Sequence, residues 1–330
     1  MKIVYTDDSF KNILPILGRA MYMQAKNKNY AWFITELFVL PFILDKRFIF
    51  TRMVFMTEVI HRKKNLSLEE EKVFFNNVIK YIRIHKMCDF IYKAQSNVIF
   101  SVCPKNVVCI PWGTHIVNIN MSDEMLMNSF KKKTRTKIRR AIKDGVTVEI
   151  TENIELIYNH IKETLLRQKS IHYPSLEYLI TLHKNLGENV NYFIALKDGE
   201  IQGCSIIVHD NSKGYALYAG SHPRAAYGSL NLMYYEIMRY LQNKDVKAFD
   251  FVGTRINIPQ GSKSAGIAQF KESFNATIHE GYAFRLTINP IKYMLFNVMS
   301  KIYLKIKGYD YIDPIDKIIS EEKHLIRKEK

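Results

Sequence analysis

The sequence predicts an α/β protein with mixed sheets, built as two domains, on three observations. A chain of 330 residues is longer than one small core organises. From about residue 147 onward, short β-rich runs and helical stretches follow the order β-α-α-β-β-β-α-β-α-β. A hydrophobic fraction of 47% with 12% aromatics, 14 Gly and 9 Pro excludes a disordered or fibrous chain.

The first 120 residues are the less regular part. Strand-like runs at 47–56, 89–95, 97–102 and 107–110 surround a helix at 67–86 opened by Ser67, which predicts a degenerate α/β domain. The longest apolar run, AWFITELFVLPFIL at 31–44, is interrupted by Glu36 and Pro41 and is too short to span a bilayer. Asp7 and Asp8 stand where a signal peptide needs an unbroken apolar core.

Next comes FKKKTRTKIRRAIKDGV, in which eight of the thirteen positions from Lys131 to Lys143 are Lys or Arg. Phe130, Ile138, Ala141 and Ile142 fall on one helical face, so the stretch reads as an ordered helix with a basic outer face, not a tail. Gly145 is placed to end that helix and Val146 to begin a strand, VTVEI.

A helix with Ile154, Ile157, Ile161 and Leu165 on one face follows, then a second from Ser175 to Leu186. Three strands come in succession, NYFIALK, IQGCSIIVH and YALYAG, the first two joined by Asp198–Gly199, a hairpin signal. A loop, SHPRAAYG, leads into a helix from Ser229 to about Asn243, then the strand AFDFVG, a helix around 265–274 and a last strand near GYAFRL. A meander closed by one strand–helix–strand crossover makes its fourth and fifth strands parallel.

This order resembles the GNAT (acyl-CoA N-acyltransferase) fold, whose acyl donor enters between splayed fourth and fifth strands. Three stretches sharpen the likeness: KTRTKIRRAIKDGV (133–146), FDFVGT (249–254) and GIAQFKESF (266–274). With them the chain is similar to the FemABX family of peptidoglycan-bridge aminoacyltransferases, the lipid II:glycine glycyltransferase-like proteins, in a short form without the coiled-coil arm. The resemblance implies two GNAT-like subdomains, here 1–145 and 146–287, with 288–330 packing back on the first. It also implies transfer of an amino acid from aminoacyl-tRNA to an amine of a nucleotide- or lipid-linked cell-wall precursor, with no tightly bound cofactor.

In that family an aromatic–lysine pair serves catalysis, and Phe270–Lys271 matches it. A fixed cation beside the reacting carbonyl stabilises the charge that develops on its oxygen; the alternative is that Phe270 and Phe274 anchor the core and Lys271 is solvated. Asp250 alternates with Phe249 and Phe251 at the donor-gap strand, either orienting an amine or bonding structurally. In Arg224-Ala-Ala-Tyr-Gly228-Ser229 the glycine spacing departs from the pyrophosphate loop of acetyl-CoA enzymes. Arg224 and the amides of Gly228 and Ser229 remain candidate phosphate donors, with Ser229 as a plain helix cap the alternative.

Net charge is +16, which favours polyanionic partners. Lys132, Arg135 and Arg139, with Lys46 and Arg47 by charge only, are the candidate contacts. The C-terminal segment 290–308 is amphipathic and basic: it packs on the first domain or lies on an anionic membrane. Cys88, Cys103, Cys109 and Cys204 form no CxxC pair and read as buried thiols of a cytoplasmic protein. The ten histidines, among them His85, His115, His172 and His209, lack ligand spacing, and no metal is expected. Two other functions compete: acyl-CoA-dependent N-acylation of an envelope sugar or other amine, and RNA binding by an inert GNAT-like domain.

Overall fold

The structure, a computed structural model, describes residues 1–328 apart from 92–97, 169, 171–172 and 259–260. His172 and parts of the strand-like runs 89–95 and 97–102 lie outside the described residues. The chain forms two compact units: residues 1–113, 253–264 and 280–330, and residues 114–252 with 265–279. The division falls at Gly113–Thr114, and Gly145 lies inside the second unit.

In chain order the elements begin with β1 (Lys2–Val4), α1 (Ala20–Lys26), β2 (Tyr30–Ile34), β3 (Phe38–Arg47) and β4 (Phe50–Phe55). They continue with β5 (Ile60–His61), α2 (Leu68–Ile84), β6 (Phe90–Ile91) and β7 (Val108–Asn118). Then come α3 (Asp123–Ser129), α4 (Lys132–Lys143), β8 (Thr147–Ile150), α5 (Ile154–Arg167), α6 (Leu176–Leu186) and β9 (Val190–Lys197). β10 (Glu200–His209), β11 (Lys213–Ser221), α7 (Ser229–Asn243) and β12 (Ala248–Asp250) complete the meander and crossover. The chain ends through β13 (Thr254–Arg255), α8 (Lys263–Glu272), β14 (Thr277–Thr287), α9 (Pro290–Ile306) and α10 (Pro314–Lys328).

Each unit repeats one plan. In the first, β1 to β4 pair antiparallel in order, α2 crosses over, β6 lies parallel to β4, and β14 pairs antiparallel with β6. In the second, β8 to β11 are antiparallel, α7 crosses over, β12 lies parallel to β11, and the second half of β7 pairs antiparallel with β12. The expected parallel fourth and fifth strands are therefore present, in the α/β, GNAT-like arrangement.

The apolar run 31–44 is a hairpin, β2 against β3, with Trp32 opposite Pro41. Ser67 caps α2 through a full capping box with Glu70, which fixes its start. In α4 the buried stripe is Thr134, Ile138 and Ala141, with Phe130 just ahead of it. Ile142 was expected on that face but is 54% exposed, because its position turns past the edge of the buried stripe.

The cysteine reading is corrected at two positions. Cys103 and Cys109 form a disulfide with their Cα atoms 6.4 Å apart, and Asn106, at φ 58°, helps the intervening chain double back. Cys88 and Cys204 are the buried free thiols, both pushed up to about 12 by burial.

Candidate active site

The second unit's core is formed by the inner face of α7 (Leu232, Met233, Ile237, Met238, Leu241) with Phe130, Ile138, Phe249, Phe251 and Phe274. Above it the sheet opens. β12 pairs with β11 only through Lys213–Tyr215 opposite Ala248–Asp250, while β11 runs on to Ser221. Asp250 is the last paired residue of β12, at the point where the two strands part.

Asp250 is buried and heavily bonded. Thr114 Oγ1 and the Val252 N–H, the latter at 2.8 Å, both donate to its Oδ1, and Lys213 Nζ lies 3.9 Å from Oδ2. Burial raises its pKa, against the pull of the Thr114 hydroxyl and the nearby lysines. The bond to Val252 is made possible by a left-handed turn: Val252 has φ 51°, which is rare for a β-branched residue.

That turn aims the Val252 carbonyl at Lys271, whose Nζ donates to it at 2.5 Å. Lys271 is only 8% exposed, and burial lowers its pKa to about 8 while the charge of Asp250 acts in the other direction. Phe270, one position earlier, packs against Tyr234, Phe251 and Phe274 and so fixes α8 on the core. The aromatic residue thus anchors the helix, and the lysine beside it is buried, not solvated.

The sequence reading missed His115, next to Thr114 on β7. It is 1% exposed, neither ring nitrogen has a hydrogen-bond partner among the described residues, and Glu272 Oε1 stands 3.7 Å from Nε2. Burial, then the charge of Lys271, lowers its pKa. Thr114, Val252, Lys213 and Glu272 were missed as well; the Thr-His pair following Gly113 was the available signal.

The loop after β11 is less open to a phosphate than its sequence suggests. The Arg224 N–H donates to His222 Nδ1 (3.1 Å) and the Ala226 N–H to Gln202 Oε1 (2.8 Å). The Ser229 N–H and Oγ both donate to the Ala226 carbonyl (3.1 and 2.8 Å). Gly228, at φ 81°, is required by packing: a Cβ there would stand 2.2 Å from the Lys137 carbonyl of α4. The Arg224 side chain is exposed.

Of the basic candidates on α4, Lys132 and Arg139 are exposed, whereas Arg135 is half-buried and donates to the Asn128 carbonyl at 2.8 Å. Lys131 lies 3.9 Å from Glu272, so the start of α4 adjoins the end of α8. Lys46 and Arg47 belong to the first unit, where Arg47 pairs with Asp45 at 3.3 Å. The structure thus brings Asp250 and Lys271 together, sets the loop residues at the head of α7, and leaves Lys46 and Arg47 in the other unit.

The sequence profile of the FemAB family matches residues 197–301. None of the curated proteins compared with the chain matches it by sequence. The crystal structure of FemX is similar over 89% of this chain and 99% of that one, with a TM-score of 0.64 and 16% identity. The structure of L-PGS from Bacillus licheniformis aligns over 81% of this chain and 88% of that one at TM-score 0.50 and 13% identity. A conserved protein of unknown function from Bacteroides thetaiotaomicron aligns over 81% of this chain and 90% of that one at TM-score 0.53 and 13% identity. The matched profile spans the strands, crossover helix and Phe270–Lys271 helix that build the site, so this region is similar to the FemAB family, and the fold it shares with FemX extends over most of the chain.

Proposed function

We propose that the chain is a FemABX-family acyltransferase that moves an amino acid from aminoacyl-tRNA to an amine of a peptidoglycan precursor. The observation that carries the reading is the buried Lys271, held by the Val252 carbonyl beside Asp250 where β11 and β12 part. The acceptor amine attacks the ester carbon of the donor; a C–N bond forms and the carbonyl oxygen becomes an oxyanion. Lys271, mostly protonated at neutral pH with a pKa of about 8, stabilises that oxyanion. Collapse breaks the C–O ester bond, and the proton released by the amine ends on the leaving ribose hydroxyl. Asp250 keeps Lys271 charged and fixes the Val252 turn.

Two features favour a tRNA donor over a CoA thioester. Three amides of the loop, those of Arg224, Ala226 and the candidate phosphate donor Ser229, already have partners within the protein. Net charge of +16 and the exposed cations of α4 suit a polyanionic donor. The assay is incubation with labelled aminoacyl-tRNA or labelled acyl-CoA and nucleotide- or lipid-linked precursors. Product from tRNA alone is expected; product from CoA alone would replace this reading with N-acylation of an envelope amine.

A further inference from the structure

We propose that the outer face of α9 and the tip of the β3–β4 hairpin together form a docking surface for an anionic lipid bilayer. Ile291, Leu295, Val298, Ile302 and Ile306 share one stripe of α9, the stripe that would pack inward on an ordinary amphipathic helix. Here it faces solvent: the five are 75%, 38%, 46%, 56% and 81% exposed, with Met294 and Met299 exposed beside them. The helix is held by its other side. Phe296 meets Phe50 and Phe90 with ring centroids 5.6 and 4.9 Å apart, and Tyr293 donates to Asp313 at 2.7 Å. The stripe faces away from the side on which Tyr293, Phe296 and the buried Leu304 hold the helix.

The hairpin supplies a second, independent element. Phe48, between β3 and β4 at φ 53°, is 96% exposed, and Ile49 follows it at the tip, 57% exposed. The Phe50–Phe296 contact places this tip beside α9. Lys46 and Arg47 precede Phe48, Lys301 and Lys305 flank the α9 stripe, and residues 290–308 contain no Asp or Glu.

Charge identifies the occupant. A second copy meeting this face across a two-fold axis would set lysines against lysines around the apolar stripe, an unfavourable isologous contact. Aliphatic and aromatic side chains ringed by cations match the acyl boundary and phosphate layer of an anionic bilayer. The helix, about 25 Å long at 1.5 Å per residue, lies in the plane of such a surface.

The test is co-sedimentation with phosphatidylcholine vesicles with and without phosphatidylglycerol. Two variants change only exposed side chains: Val298→Ser/Ile302→Ser and Lys301→Glu/Lys305→Glu. Wild type should pellet with the phosphatidylglycerol vesicles, and each variant should bind about tenfold more weakly or worse with an unchanged circular-dichroism spectrum. Equal pelleting of all three proteins, or none by wild type, overturns the proposal. So does a lipid-free dimer, seen by sedimentation equilibrium, that Val298→Ser/Ile302→Ser dissolves, since that assigns the face to a second copy.

Discussion

Val252 is the residue on which the site turns. A β-branched side chain at φ 51° costs about 1–3 kcal/mol, and two hydrogen bonds hold it there: its N–H to Asp250 and its carbonyl from Lys271. Because Lys271 acts as a cation with a pKa of about 8, kcat should fall on an alkaline limb with its midpoint near that value. Asp250→Asn keeps the shape but removes the charge that opposes burial, so its limb should move to lower pH; an unmoved limb in a pH–rate profile would detach Asp250 from Lys271. Stability carries the same signature. Lys271 binds its proton less readily folded than unfolded, so the free energy of unfolding should rise as pH climbs from about 8 towards 10.5, and Lys271→Met should remove that rise in denaturant titrations. Phe270 and Lys271 were picked out by the family resemblance and Asp250 by strand alternation, and the structure brings Asp250 and Lys271 together around Val252. Val252 was not legible in the sequence: AFDFVG reads as an unbroken strand, yet β12 stops at Asp250 because tertiary bonds force the left-handed turn.

At the scale of elements, the close approach of α4 to the head of α7 depends on Gly228. Gly228→Ala adds a Cβ 2.2 Å from the Lys137 carbonyl at φ 81°, and should lower stability by about 2–4 kcal/mol in urea unfolding. The C-terminal helices depend on a different device. Arg285 Nη1 lies 2.8 Å from the buried Asp313, which Tyr293 of α9 also contacts. Arg285→Leu leaves that carboxylate buried without its cation and should cost about 3–5 kcal/mol, read from the same titration. Helix periodicity located α4 and α9 and most of the buried stripe of α4 (Phe130, Ile138 and Ala141), but not the edge of that stripe or the covered face of α9. Thr134 is buried where Ile142 was expected, and the apolar stripe of α9 faces outward, since neighbouring side chains decide the buried face once two stripes compete.

Across the whole molecule, the second half of the chain announced its fold through Asp198–Gly199, the helix cap at Ser175 and the parallel pair closed by α7. The first half was obscured because the apolar run 31–44 is two strands, β2 and β3, with Glu36 in the turn between them. A net charge of +16 makes a further expectation: raising salt between roughly 50 and 200 mM should raise KM for a tRNA donor steeply. Lys132→Glu/Arg139→Glu should flatten that slope without unfolding the protein, and an unchanged slope would leave these residues as solvated surface. The central claim, that Lys271 stabilises the transition state of aminoacyl transfer, is tested most directly by single-turnover transfer from aminoacyl-tRNA with saturating precursor. Lys271→Ala is predicted to lose about 10²–10³-fold in rate while binding both substrates as wild type does; transfer at the wild-type rate would contradict the account.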